Sequence, residues 1–224
     1  MHRHQSTWLD AAELGSRFPP YVPTYDFLQP YIDHRHVTLA TAPLNGEIID
    51  IGIPGWLRPA DALKLYELAY FAPGDVLEIG TYHGLSTSIQ AEAMAARPGR
   101  RLVMLELDPP AVAEARKHTA RWSSGIDFMV GDARQSCQEL AAAGRRFSYA
   151  FVDHSHSYEL VLAACQDLKR LLTPGAFALF HDYNDARNGT DPDYGVWHAV
   201  GDAFQDGSAE FWGVYGCTGL WRMR

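Results

Sequence analysis

Apolar residues gather into short runs near 76–80, 101–107, 126–131, 147–153 and 176–181, each long enough for a buried strand and too short for a helix. Between them lie stretches with helical spacing, near 60–71, 86–97, 110–122, 135–143 and 158–172. The last is the clearest. Leu160, Val161, Ala164, Leu168, Leu171 and Leu172 fall on one stripe, and Thr173-Pro174-Gly175-Ala176 ends it, so these are core positions rather than ligand contacts. Strands alternating with helices at this spacing predict an α/β fold with a parallel sheet covered on both faces. A loop rich in Asp, Asn and Gly (184–195) leads to a helix near 196–204, and the segments 210–215 and 219–224 read as a closing hairpin. Residues 1–50 carry no such period. They are too proline-rich for one long helix and too aromatic for a disordered tail, so they are expected to be an irregular segment serving as a lid or an oligomer contact. Residues 51–224 then form one domain.

The first strand runs into the most telling stretch. Val76, Leu77 and Ile79 can bury in a sheet, while Gly80 and Gly84 let the backbone turn tightly and approach a ligand. Ser86 or Thr87 is expected to cap the helix that follows. A dinucleotide loop needs G-x-G-x-x-G, whereas the spacing here is Glu78-x-Gly80-x-x-x-Gly84, which argues against NAD. An acid before the first glycine repels a phosphate but suits a cation, and S-adenosylmethionine carries both a sulfonium and an ammonium. The bland alternative is an ordinary strand-turn-helix connection. The second strand ends in Glu106, 28 residues after Glu78, where an acid at a strand's carboxyl end can accept both hydroxyls of an adenosyl ribose; Asp108 is the runner-up. After the third strand, Gly131-Asp132-Ala133 offers Asp132 either to an adenine amino group or as a helix cap.

Taken together, Glu78-Ile79-Gly80-x-x-x-Gly84, Leu105-Glu106-Leu107-Asp108, Gly131-Asp132-Ala133, and Val152-Asp153-His154-Ser155-His156-Ser157-Tyr158 paired with Phe180-His181-Asp182-Tyr183 resemble the class I S-adenosylmethionine-dependent methyltransferases over about residues 54–224. The last pair is similar to a subgroup of small bacterial methyltransferases with Asp-x-x-His-x-Tyr after the fourth strand and His-Asp-Tyr after the fifth. The resemblance implies a Rossmann-like, doubly wound, mostly parallel seven-stranded sheet whose C-terminal hairpin forms an antiparallel edge. It further implies a cofactor site made of Glu78, Gly80, Thr81, Gly84, Ser86, Glu106, Asp132, Ala133 and Asp153. Ile53-Pro54-Gly55-Trp56 is similar to the segment that closes over the cofactor there.

Methyl transfer needs alignment of the acceptor and, for a hydroxyl, removal of a proton. Asp153, His154 and His156 at one strand end and His181 and Asp182 at the next supply the candidates. His156, in the motif position, is the leading base, with Asp153 and Asp182 beside it, while His154 reads better as an ordinary loop histidine. Asp153, His181 and Asp182 are the candidate holders of a divalent metal. Related O-methyltransferases place an Asp-Asp or Asp-Asn pair where this chain has His181-Asp182, and imidazole suits transition metals better than magnesium. O-methylation of a small hydroxylated metabolite is the leading expectation. N-methylation, or a non-catalytic adenosyl-binding module, is the alternative.

The remaining composition narrows the partners. A net charge of −8, with no Lys/Arg-rich run interleaved with aromatics, discourages nucleic acid and favours a small-molecule acceptor. No apolar run approaches a membrane span and no signal-peptide core is present, so a cytoplasmic enzyme is expected. Three scattered cysteines build neither a disulfide framework nor a zinc cluster and read as buried thiols.

Overall fold

A computed structural model describes residues 20–224. Helix α1 (His34–Ala40) and a two-residue hairpin, β1 (Leu44–Asn45) with β2 (Ile48–Ile49), precede α2 (Pro59–Phe71). Then come β3 (Val76–Ile79), α3 (Leu85–Ala95), β4 (Leu102–Glu106), α4 (Pro109–His118), β5 (Ile126–Val130), α5 (Ala133–Ala142), β6 (Phe147–Val152), α6 (Tyr158–Leu171) and β7 (Leu172–Phe180). The chain ends with α7 (Arg187–Thr190), α8 (Val196–Phe204), β8 (Ala209–Tyr215) and β9 (Thr218–Met223).

Seven strands form one sheet in the order β5-β4-β3-β6-β7-β9-β8. The first five are mutually parallel, and β9 and β8 add the antiparallel edge, as the resemblance implies. The period-2 pleat sorts side chains onto two faces. Leu77 and Ile79 pack under Leu140, Val161, Leu168 and Val200 from α5, α6 and α8, whereas Val76 packs with Leu65, Tyr66, Ile89 and Val112 from α2, α3 and α4. Glu78 therefore faces the α2–α3 side, a placement with consequences for the glycine loop. The chain order reverses between β3 and β6, and the crevice above their carboxyl ends is where ligands bind in such sheets.

The structure departs from the sequence expectations in several places. Residues 1–19, part of the segment expected to be irregular, lie outside the described residues. The rest of that segment contains α1 and the β1–β2 hairpin; α1 was hidden because its seven residues include β-branched Val37 and Thr38 and bury only His36 and Leu39, although Asp33 caps it by accepting from His36 N–H at 2.9 Å. Tyr21 and Thr24 fasten the segment to α2. The Tyr21 hydroxyl and the Thr24 N–H donate to the Glu67 carboxylate at 2.5 and 2.7 Å, and fully buried Lys64 donates to Glu67 and to Thr24 Oγ1. The helix expected over 110–122 stops at His118 and continues as a 3-10 turn, Ala120–Gly125. The turn expected at 173–176 is absorbed into β7 as a wide bulge: Phe147 pairs Leu172 and Tyr149 pairs Phe177, with Gly175 at φ +80°.

Candidate active site

Gly80 ends β3 with φ +87°, and a Cβ there would stand 2.3 Å from the Asp153 carbonyl oxygen, so only glycine allows the β3 and β6 ends to close together. Gly84, at φ +89°, is the N-cap of α3, where a Cβ would press on Ala115. The expected capping by Ser86 or Thr87 is therefore corrected. Both hydroxyls point back instead and donate to Glu78, Ser86 Oγ to Oε1 at 2.5 Å and Thr87 Oγ1 to Oε2 at 2.6 Å. Glu78 is fully buried and lines neither cavity described below; burial pushes its carboxyl up to about 8. It is the anchor under the glycine loop. Glu106 is the anchor beside it, accepting the Thr81 and Tyr82 N–H groups at 3.0 and 2.9 Å on one oxygen and the Asp108 N–H on the other.

Two cavities open above the sheet and share Gly80, Tyr82 and Asp153. One, of about 360 Å³, is lined by Leu105, Glu106, Gly131, Asp132, Ala133 and His154. Asp132 also caps α5 by accepting from Gln135 N–H at 3.0 Å, so both of its expected roles are sterically open at once. His154 faces this cavity rather than the polar cluster, and burial, reinforced by the charge of His156, lowers its pKa. Glu106 offers a carboxylate to this cavity, and the loop backbone at Gly80 borders it without a side chain. This set fits an adenosyl group with a hydroxylated ribose.

The other cavity, of about 480 Å³, is lined by Thr81, Ser86, Asp153, His156, His181 and Asp182, and on its outer side by Ile48, Trp56, Leu57 and Arg187. His156 Nε2 lies 3.2 Å from Asp182 Oδ2 and 3.5 Å from Asp153 Oδ1. Its ring stacks on Tyr194 with centroids 4.8 Å apart, and the Tyr194 hydroxyl donates to Asp182 Oδ2 at 2.5 Å. Asp182 sits at φ +52°, a conformation unusual for a non-glycine residue and held by Asn188 Nδ2, which donates to its carbonyl oxygen at 3.0 Å. His181 Nδ1 stands between Asp153 Oδ1 at 3.1 Å and Asp182 Oδ1 at 3.4 Å. Burial opposes a charge on His181, but Asp153 and then Cys217 and Asp182 outweigh it and raise its pKa well above the usual value. Reciprocally, although burial works the other way, the two imidazoles hold Asp153 down to about 2.

Asp153, His156, His181 and Asp182 thus meet in one cluster. Two members were invisible in the sequence: Asp61, at the start of α2, and Cys217, in the β8–β9 turn, which reach His181 from behind. Arg187 is a third, donating to Asp185 and to Asp182 from the loop expected at 184–195.

Residues 77–183 match a family model described as a methyltransferase domain. Among solved structures, cofactor-bound Rv0187 from MTB is 25% identical, with 85% of this chain and 88% of that one covered and a TM-score of 0.59. The O-methyltransferase TomG from Streptomyces achromogenes, involved in tomaymycin synthesis and solved with SAM, is 20% identical over 99% of both chains, TM-score 0.59. An O-methyltransferase from Bacillus cereus, in complex with SAH, is 18% identical over 98% and 99%, TM-score 0.62, and shares the sheet with its antiparallel edge. Comparison with curated proteins finds no match. The fold is the Rossmann-like methyltransferase fold, and residues 77–183 carry the match to a methyltransferase domain. No helix among the described residues is long and apolar enough to cross a membrane.

Proposed function

We propose that the chain is an O-methyltransferase of a small hydroxylated molecule, with the 360 Å³ cavity taking the adenosyl end of the cofactor and the 480 Å³ cavity taking the acceptor. The observation that carries this reading is the position of His156. His156 lines the acceptor cavity with its Nε2 within 3.5 Å of two carboxylates, which would stabilise the imidazolium formed when the ring takes a proton from a hydroxyl. An amine needs little more than alignment and proton acceptance, and a mere adenosyl binder needs neither His156 nor Asp182. S-adenosylmethionine supplies a methyl group already activated on sulfur. Glu106, Asp132 and Ala133 hold its adenosyl end, Gly80, Thr81, Gly84 and Ser86 shape the loop it crosses, and Asp153 stands at the junction of the two cavities. Incubation with methyl-labelled cofactor and panels of phenols, sugars and amines tests the assignment: label in a hydroxyl supports it, and label confined to amines overturns it.

The front cluster is arranged to work without magnesium. The His181 ring lies between Asp153 and Asp182, and imidazole is a poor ligand for a hard, oxygen-seeking cation. Saturating Mg²⁺ is expected to leave the methylation rate unchanged; a rate that requires Mg²⁺ would restore the metal reading of Asp153, His181 and Asp182.

Glu106→Ala is expected to weaken S-adenosylmethionine binding at least about tenfold, on the order of 1.5–3 kcal/mol, because it removes a charged acceptor and frees two loop N–H groups. Asp108→Ala should do less, since the Asp108 side chain makes no capping bond on α4. Calorimetric titration decides it; equal losses would move the ribose site away from Glu106.

A further inference from the structure

We propose that Asp61, His181 and Cys217 form a buried binding site for a borderline-soft divalent cation of the Zn²⁺ type, behind the acceptor cavity and sharing His181 with the front cluster. The three residues come from the first turn of α2, the end of β7 and the β8–β9 turn, and are 0%, 5% and 1% exposed. Cys217 Sγ lies 3.3 Å from His181 Nε2 and 3.6 Å from Asp61 Oδ2, and one donor atom from each of the three falls within 4.8 Å of the others. Tetrahedral zinc, with bonds of about 2.3 Å to sulfur and about 2.0–2.2 Å to nitrogen and oxygen, sets its ligand atoms about 3.3–3.7 Å apart. The donors therefore already stand near the edges of such a polyhedron. Asp182 Oδ1, 3.6 Å from Sγ, is placed to complete it.

The surroundings are those of a supported ligand set. His181 presents its other nitrogen to Asp153 Oδ1 at 3.1 Å, the carboxylate-backed imidazole that fixes the tautomer of a metal-bound histidine. Asp61 is oriented by two backbone donors, Cys217 N–H on Oδ1 and Arg58 N–H on Oδ2, both at 2.8 Å. A sulfur and an imidazole nitrogen beside a carboxylate exclude magnesium and calcium and select zinc or a neighbouring transition ion. The same atoms also resemble a Cys-His-Asp nucleophile, but Cys217 lines neither cavity, so no acceptor reaches its sulfur. Neither Cys137 nor Cys165 competes for it, since both pack on the α5–α6 side of the sheet. An ion here leaves the Nδ1–H of His181 directed at Asp153 and so positions that carboxylate at the junction of the two cavities, without touching the acceptor. The proposal does not depend on which group is methylated.

The full chain, dialysed against chelator, is titrated with Co²⁺ and with Zn²⁺. One equivalent should bind, Co²⁺ should give a near-ultraviolet thiolate-to-cobalt band, and Zn²⁺ should raise the melting temperature. Cys217→Ser should abolish the band, while His156→Ala, which removes none of the proposed ligands, should keep it. X-ray absorption of the native protein with zinc should show one sulfur neighbour, a reading that stands even if Cys217→Ser fails to fold. Absence of stoichiometric uptake, a cobalt spectrum without sulfur ligation, or binding lost in His156→Ala and kept in Cys217→Ser would each overturn the site.

Discussion

His156→Ala should lower kcat by about 100-fold or more while leaving the Kd for S-adenosylmethionine nearly unchanged. The separation of effects follows from the two cavities: His156 lines only the acceptor side, and the adenosyl side is built from Glu106, Gly131, Asp132 and Ala133. With the imidazole gone, Asp153 and Asp182 still face the cavity, but Asp182 is engaged by Tyr194 and Asp153 by His181. Neither replaces His156. Single-turnover rates with a hydroxyl acceptor measure the loss, and imidazole added to the medium should restore part of it, which a purely structural role would not allow. A fall of less than about tenfold, or an equal loss of cofactor affinity, would remove His156 from the proton transfer. His154→Ala supplies the contrast, since its ring faces the cofactor side.

What the sequence disclosed and what it hid divide along the range of the interactions. The parallel strands were legible because a strand buried on both faces reads as an unbroken apolar run, as in Leu102–Leu105, and because glycine is demanded wherever backbone meets backbone, as Gly80 meets Asp153. Proximity of Asp153 and His156 to His181 and Asp182 followed from neighbouring parallel strands ending at one level, and β6 does pair with β7 in register from Tyr149 to Val152. Asp61 and Cys217 were illegible for the opposite reason. They lie 156 residues apart, on a helix start and a hairpin turn, and no local period links either to His181. Their sole trace was a lone acid after Pro59, which reads as an ordinary first-turn helix residue. The role of Glu78 was half legible: an acid at that strand end is a ligand candidate by position, but the hydroxyls of Ser86 and Thr87, which read as helix caps, engage both of its oxygens.

That engagement has an expected thermodynamic signature, the second large effect. Burial raises the Glu78 carboxyl from an ordinary 4.5 to about 8, because the hydrogen bonds from Ser86 and Thr87 only partly offset the loss of solvent and the charges of Asp153 and Glu106 add to it. For a carboxyl raised on folding, the unfolded chain releases its proton near pH 4.5 while the folded chain keeps it until about pH 8. The group therefore costs nothing below the lower value, costs about 1.4 kcal/mol more for each pH unit between the two, and levels off above pH 8 at roughly 4–5 kcal/mol. Glu78→Gln keeps the shape, its amide oxygen accepting from one hydroxyl and its NH2 donating to the other, but it cannot ionise. Against the native protein it should gain on the order of 2–3 kcal/mol of unfolding free energy between pH 6 and pH 8, with little further change at pH 9. Urea unfolding of both proteins across that range measures the difference. Parallel pH profiles would show that Glu78 is ionised in the folded state and that its charge is met by a partner stronger than two hydroxyls.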